Sequence, residues 1–365
     1  MPGSQQLNPS RPEPQILLSS SVPLRAGMPF RQLLAMILEG KTLVASDTFG
    51  TVMAFYSWLK KEVNAKIPVH DYHSFRRNKA ELEGLTNKLL IPVKQHQADI
   101  SGAPQNGWLE LLYPETNSFL LRFTDFLGMN GAWQWFKQGV TFPLLPHKLH
   151  PYYGVYFPTR FEHLLLFDEW LSQQSLPDRA TEIGTGSGLL SLLLHRQGVK
   201  QITATDINSN AIIGLDADLQ TLGLRQKFNL HLGSFFEGLK SENCSLVVFN
   251  PPWLPETPQN NLDRATRYPA NFFEDFFHQA AGIMPASSRL VLLFSTFSQA
   301  AGLSQSHPIA EELGNDRFRL IELIEKPVTQ KPSKKRDWLG EIRKKEKVQL
   351  WVLEPVGRTK TGCGQ

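Results

Sequence analysis

The sequence reads as a doubly wound α/β fold behind a smaller α+β unit, on the strength of three segments. A turn of alternating glycines, Thr181-Glu182-Ile183-Gly184-Thr185-Gly186-Ser187-Gly188, leads from a strand into the apolar run Leu189, Leu190, Leu192, Leu193, Leu194. About 20 residues later, Gln201-Ile202-Thr203-Ala204-Thr205-Asp206 is a β-branched strand that ends in a carboxylate. Leu246-Val247-Val248-Phe249 is a fully apolar strand that runs directly into Asn250-Pro251-Pro252-Trp253. Apolar strands alternating with helical patterns belong to parallel sheets covered on both faces.

Taken in order, residues 1–150 are expected to form the accessory unit, with roughly the first 20 frayed, since they are rich in Pro, Ser and Gln. Phe30, Leu33, Leu34, Met36 and Ile37, then Val52, Phe55, Trp58 and Leu59, predict two amphipathic helices broken between Gly40 and Thr48. Trp108–Tyr113 and Phe119–Phe123 read as strands joined by a Pro-Glu-Thr-Asn turn. His70, His73 and His96 read as surface or internally satisfied histidines. The Pro- and aromatic-rich stretch 142–154 reads as a linker to the second unit, residues 151–365.

Gly184, Gly186 and Gly188 allow positive φ and close approach of a ligand to the backbone, and the helix that follows is expected from about Ser187 to His195. A dinucleotide turn needs G-x-G-x-x-G. Here the third glycine comes one residue early, and Leu189 takes its place. Glu182, two residues before the first glycine, suits a cationic ligand with an amino group and repels a pyrophosphate. Asp206 is placed to accept the two hydroxyls of a ribose; its other reading is an N-cap for the helix expected over Asn208 to Leu222.

Asn250-Pro251-Pro252-Trp253 carries the chemistry. A planar amide or ring-bound amino nitrogen is a poor nucleophile, because its lone pair is delocalised. The Asn250 side-chain carbonyl and the Pro251 backbone carbonyl can accept its two N–H bonds, the prolines fix the backbone, and Trp253 offers a face for the planar group. The bland reading is a turn after a strand.

Glu182-x-Gly184-x-Gly186-x-Gly188 resembles motif I of the class I S-adenosylmethionine-dependent methyltransferases, and Asn250-Pro251-Pro252-Trp253 resembles the N-P-P-[YFW] motif of their amino-group members. These include the glutamine N5-methyltransferases and the RNA and DNA amino-methyltransferases. The resemblance implies a seven-stranded Rossmann-like methyltransferase sheet, S-adenosyl-L-methionine as cofactor, and cofactor contacts from Glu182, Gly184, Thr185, Gly186, Gly188 and Asp206. Ser234 stands where an Asp commonly contacts the adenine amino group; Phe235 and Phe236 would wall the adenine, their other reading being core packing. Phe157-Pro158-Thr159-Arg160 resembles the segment that covers the cofactor in the glutamine N5-methyltransferases, which assigns Pro158 and Thr159 to the cofactor. Trp253 departs from the Tyr usual in those enzymes. The resemblance covers residues ~151 to ~300.

Beyond motif IV, a polar loop from Pro255 to Tyr268, an aromatic-faced helix over Asn271 to Ile283 and a strand Leu290–Phe294 are expected, then an antiparallel pair, Phe318–Ile324 with Val348–Leu353. The connection 331–347 sets eight cations against three acids, with Trp338 among them, a composition that suits RNA phosphates and a stacked base. The whole chain, with 38 basic and 34 acidic residues, names no partner by itself. Its two cysteines, Cys244 and Cys363, have no metal-ligand or disulfide spacing, so no metal is expected. No membrane span or signal segment is read, and a cytoplasmic protein is expected. The expected activity is N-methylation of a planar amino group on a macromolecule, RNA favoured over protein. A non-enzymatic RNA-binding module on the same fold is the alternative, and an NAD-dependent dehydrogenase fails on the glycine spacing.

Overall fold

The computed structural model describes residues 7–16, 21–259, 261–329 and 338–357. The chain divides into two compact units, one from Met1–Pro9, Gly139–Arg336 and Gly340–Gln365, the other from Ser10–Gln138 and Asp337–Leu339.

The larger unit holds a seven-stranded sheet: β1 (Arg179–Ile183), β2 (Gln201–Asp206), β3 (Phe228–Leu232), β4 (Leu246–Phe249), β5 (Arg289–Ser295), β6 (Phe318–Pro327) and β7 (Lys347–Pro355). Their order is β3-β2-β1-β4-β5-β7-β6, and β7 runs antiparallel to both its neighbours, as expected for the closing pair. This is the seven-stranded, doubly wound sheet expected from the sequence. Side chains of β5 alternate between two cores: Val291 and Leu293 pack with the helices Glu162–Leu171 and Leu189–Arg196, whereas Leu290, Leu292 and Phe294 pack with Phe273, Phe276 and Phe277 of the helix Phe272–Ile283. Both faces are covered, which is why these strands read as unbroken apolar runs.

Register brings the three motifs together. Ile183 pairs with Thr205 on one side and with Phe249 on the other, so Gly184, Asp206 and Asn250 leave three adjacent strands at the same carboxyl edge. The strand order reverses between β1 and β4, the place where open α/β sheets bind ligands.

The stretch 142–154 is not a free linker: Val140–Thr141 pairs with Lys148–Leu149, and Phe142, Leu145 and Leu149 are buried in the core of the larger unit. The larger unit therefore takes in the chain from Gly139 rather than from 151.

The smaller unit has a five-stranded mixed sheet in which Val22–Leu24, Leu43–Ala45 and Leu89–Lys94 are parallel, and Gln97–Ala98 and Ser118–Arg122 each pair antiparallel with Leu89–Lys94. The two expected helices are Phe30–Leu38 and Phe49–Lys66, but the break between them hides Leu43–Ala45. Trp108–Leu112 is a helix, not the strand expected. Trp108, Leu109 and Leu112 are buried while Glu110 and Leu111 are exposed, which is helical spacing; a strand would put Leu109 and Leu111 on one face. Of the segment expected to be frayed, residues 7–16 are tied down: Gln15 donates to the Leu120 carbonyl at 2.8 Å and the Tyr113 hydroxyl donates to the Pro12 carbonyl at 2.6 Å.

Residues 331–337 of the basic connection, with four of its eight cations, lie outside the described residues. In the remainder, Lys344 pairs with Glu341, Arg343 with Glu346 and Lys347 with Glu325. The Trp338 ring, half-buried, lies 5.6 Å from Phe75 and 6.4 Å from Tyr72, so part of it packs against that pair. No helix of the described residues is long and apolar enough to cross a membrane.

Candidate active site

Where β1 turns into the helix Leu189–Arg196, Gly184, Gly186 and Gly188 all have positive φ. They do different work. Gly184 and Gly186 line a cavity of about 530 Å³. Gly188, expected at the cofactor, does not line it: a Cβ there would stand 2.4 Å from Leu215, so this glycine lets the helix Ser209–Thr221 pack close. Glu182, 2% exposed, reaches the same cavity. Its Oε2 accepts hydrogen bonds from the Thr185 hydroxyl at 2.7 Å, the Ser191 amide at 2.9 Å and the Ser191 hydroxyl. Burial pushes its carboxyl up to about 8, against the downward pull of those donors.

Asp206 ends β2 in the cavity wall. Its two oxygens are aimed by amides, Gly186 N–H to Oδ2 and Asn208 N–H to Oδ1, each at 2.8 Å. Burial raises this carboxyl too, and amide bonds from Asn208, Gly186 and Ile207 offset it. The helix cap is Asn208, which accepts from the Asn210 amide, so Asp206 does not serve as the cap. Ser234 and Phe235 line the far side of the cavity; Phe235 sits at φ 46° with its ring against Phe249, Phe272 and Phe276. Phe236 is core instead.

Motif IV stands between that cavity and a second one of about 210 Å³. Asn250 lines both, Pro252 the larger, Pro251 and Trp253 the smaller. Pro158 lines the larger cavity. Thr159, expected at the cofactor, opens on the smaller one, together with Arg160. Asn250 Oδ1 is buried with no hydrogen-bond partner among the described residues. Trp253 is locked: its Nε1–H donates to the Leu293 carbonyl at 3.3 Å, and its ring meets His163 edge-on at 5.3 Å.

Two contributors carried no signal in the sequence. Arg267, buried, pairs with Glu256 at 2.8 Å and with Asp263, and so folds the loop after motif IV back on itself. There the Trp253 and Leu254 amides bond to the Thr266 carbonyl. His163, at the start of the helix Glu162–Leu171, is 3% exposed, lines both cavities and leaves Nε2 without a partner among the described residues.

The larger cavity passes a simple test for S-adenosylmethionine. It is lined by bare backbone at Gly184 and Gly186, by an oriented acceptor for a diol at Asp206 and by an aromatic wall at Phe235. Residues 164–303 match the family model of the methyltransferase small domain. Over 92 residues, 24% of this chain and 31% of the relative, the sequence is 36% identical to a release factor glutamine methyltransferase of Prochlorococcus marinus. It is 28% identical over 100 residues to a ribosomal protein uL3 glutamine methyltransferase of Bordetella pertussis, 27% of this chain and 34% of the relative. It is 26% identical over 153 residues to a tRNA1(Val) (adenine(37)-N6)-methyltransferase of Christiangramia forsetii, 39% of this chain and 64% of the relative. The chain thus spans from about a third to just under two thirds of these curated relatives. The matched segment is similar to the methyltransferase small domain, and the larger cavity that it lines has the groups to hold S-adenosylmethionine.

Proposed function

We propose that the protein methylates the nitrogen of a planar amino group on a macromolecule, and that this group is the side-chain amide of a protein glutamine. The observation that carries the amino-group reading is Asn250 Oδ1, a buried acceptor left without a donor at the boundary of two cavities. Such an atom costs roughly 1–3 kcal/mol unless something fills it. S-adenosylmethionine, when bound, supplies an electrophilic methyl group on sulfur. Glu182, Asp206, Ser234, Phe235 and Pro158 would hold it from the larger cavity. Asn250 Oδ1 and the Pro251 carbonyl would take the two N–H bonds of the target, so that the nitrogen lone pair faces the donor side; the new N–C bond would replace the methyl–sulfur bond, whose electron pair would stay on sulfur, and one N–H proton would pass to solvent. Trp253 and its Leu293 bond keep the acceptor cavity rigid.

Two observations favour glutamine over an RNA base. The described cations of the basic connection mostly answer acids of the same chain, and Trp338 spends part of its ring on Phe75. Of the relatives reported above, the two named for glutamine methylation have the higher identities, while the tRNA adenine relative supports the rival. The test is transfer of a radiolabelled methyl group by the full chain into the RNA and the protein of a cell extract, followed by hydrolysis. N5-methylglutamine is expected; N6-methyladenine in RNA would reverse the choice of substrate, and methyl on oxygen or carbon would remove the amino-group reading.

A further inference from the structure

The two atoms assigned to the target nitrogen, Asn250 Oδ1 and the Pro251 carbonyl oxygen, are both acceptors. Acceptors recognise N–H bonds, and every amine has those, so this pair cannot by itself separate a carboxamide from an alkylamine. A carboxamide differs in having a carbonyl oxygen beside its nitrogen, and reading that atom takes a donor within reach of Asn250.

His163 is placed to be that donor. It lines the same two cavities as Asn250, it is 3% exposed, and Nε2 has no partner among the described residues. Packing alone does not call for a histidine at this position: its buried helix neighbours are Leu164, Leu166 and Phe167, and an aliphatic or phenyl side chain would carry no unsatisfied nitrogen. The ring is held by the edge-on contact with Trp253, whose own indole is tied to the Leu293 carbonyl. The titratable and charged groups lining the smaller cavity with it are Tyr156, Arg160, Glu162, Arg343 and Glu346. Arg160 lies 3.6 Å from Glu162, and Arg343 lies 3.0 Å from Glu346.

We propose that His163 is the specificity-determining positioning residue of the acceptor cavity, donating from Nε2–H to the carbonyl oxygen of the target carboxamide while Asn250 and Pro251 hold its nitrogen. The inference rests on the amino-group reading and narrows it to groups in which an acceptor atom adjoins the amino nitrogen. Burial pushes the imidazole down to about 4, so near neutrality the ring is uncharged, and the nitrogen that carries the proton can be chosen by the ligand.

The experiment uses the full chain, radiolabelled methyl donor and the protein fraction that accepts methyl groups. His163→Phe is expected to lower kcat/KM by about 10- to 100-fold, mainly through KM, because the bond exists before as well as during transfer. His163→Gln, whose amide nitrogen can stand near the place of Nε2, is expected to recover most of the loss. S-adenosylhomocysteine affinity should stay within about threefold in both, which a merely structural role would not guarantee. A folded His163→Phe with wild-type kcat/KM overturns the inference, as does a Gln variant no better than the Phe one. Should the Phe variant not fold, competition on the wild type decides: N-acetylglutamine is expected to inhibit where N-acetyllysine does not, and equal inhibition overturns it. Wild-type product methylated on oxygen or carbon would instead strike the amino-group reading, which these variants do not touch.

Discussion

At the cofactor end of the site, polar groups arrive with their partners; at the acceptor end, they do not. Glu182 Oε2 has three donors from its own chain, and both oxygens of Asp206 are aimed by backbone amides. Asn250 Oδ1 and His163 Nε2, equally sheltered from water, have none among the described residues. A group already bonded to the fold is held in place whether or not a ligand comes, at a cost to the fold if it is removed. A group left open costs the fold something while it stays and repays that only to a ligand. Mutations at the two ends should therefore differ in kind.

The largest effect is expected at Asn250. Asn250→Ala should lower turnover by on the order of 10²–10³, as for the loss of one preorganised polar group. Since Asn250 Oδ1 has no partner among the described residues, the melting temperature should not fall, and S-adenosylhomocysteine affinity should hold within about threefold. Steady-state kinetics beside thermal melting makes the comparison; near-normal turnover would reduce motif IV to a turn after a strand.

At the other end the expected effect is smaller and mixed. Asp206→Asn keeps one acceptor but leaves the Gly186 or Asn208 amide facing an N–H, so affinity for S-adenosylmethionine should drop by roughly 1–3 kcal/mol together with a measurable loss of stability. Calorimetry with thermal melting reads both. A loss of affinity without any loss of stability would blur the distinction between the two ends.

Much of this site could be read from the sequence because its motifs are local. Glycines where φ must be positive, a carboxylate that ends a strand and an asparagine that follows one all occupy positions fixed by their immediate neighbours, and the parallel register did the rest. What could not be read depends on residues far apart. That Gly188 serves packing is known only once Leu215 stands over it. His163 and Arg267 matter through the cavities and acids they meet, which no spacing announces. In the smaller unit, Val22–Leu24 and Leu43–Ala45 are three residues each, too short for period-two alternation to show, and Trp108–Leu112 is so short that its helical spacing passes for a strand.

The smallest expected effect concerns a proton on Glu182, and it tests whether the cofactor end is as complete as its hydrogen bonds suggest. Oε2 is fully occupied, but Oε1 has no donor among the described residues, and the residue lines the larger cavity. Burial holds the carboxyl at about 8 against an ordinary 4.5, so at pH 7 the native protein carries a proton that the unfolded chain has shed. Between those two values the native state binds more protons than the unfolded state, so stability must fall as pH rises through this window. A cationic amino group brought beside the carboxylate favours its charged form, so binding of S-adenosylhomocysteine at pH 7 should expel up to about one proton, and affinity should rise toward pH 8. Glu182→Gln should remove the proton release and flatten the fall in stability. Calorimetry at pH 7 in buffers of different ionisation enthalpy measures the release directly. If none is seen in the wild type, Glu182 serves only to brace the turn through Thr185 and Ser191, and the cofactor end is closed on itself, as far from a ligand's charge as its partners make it look.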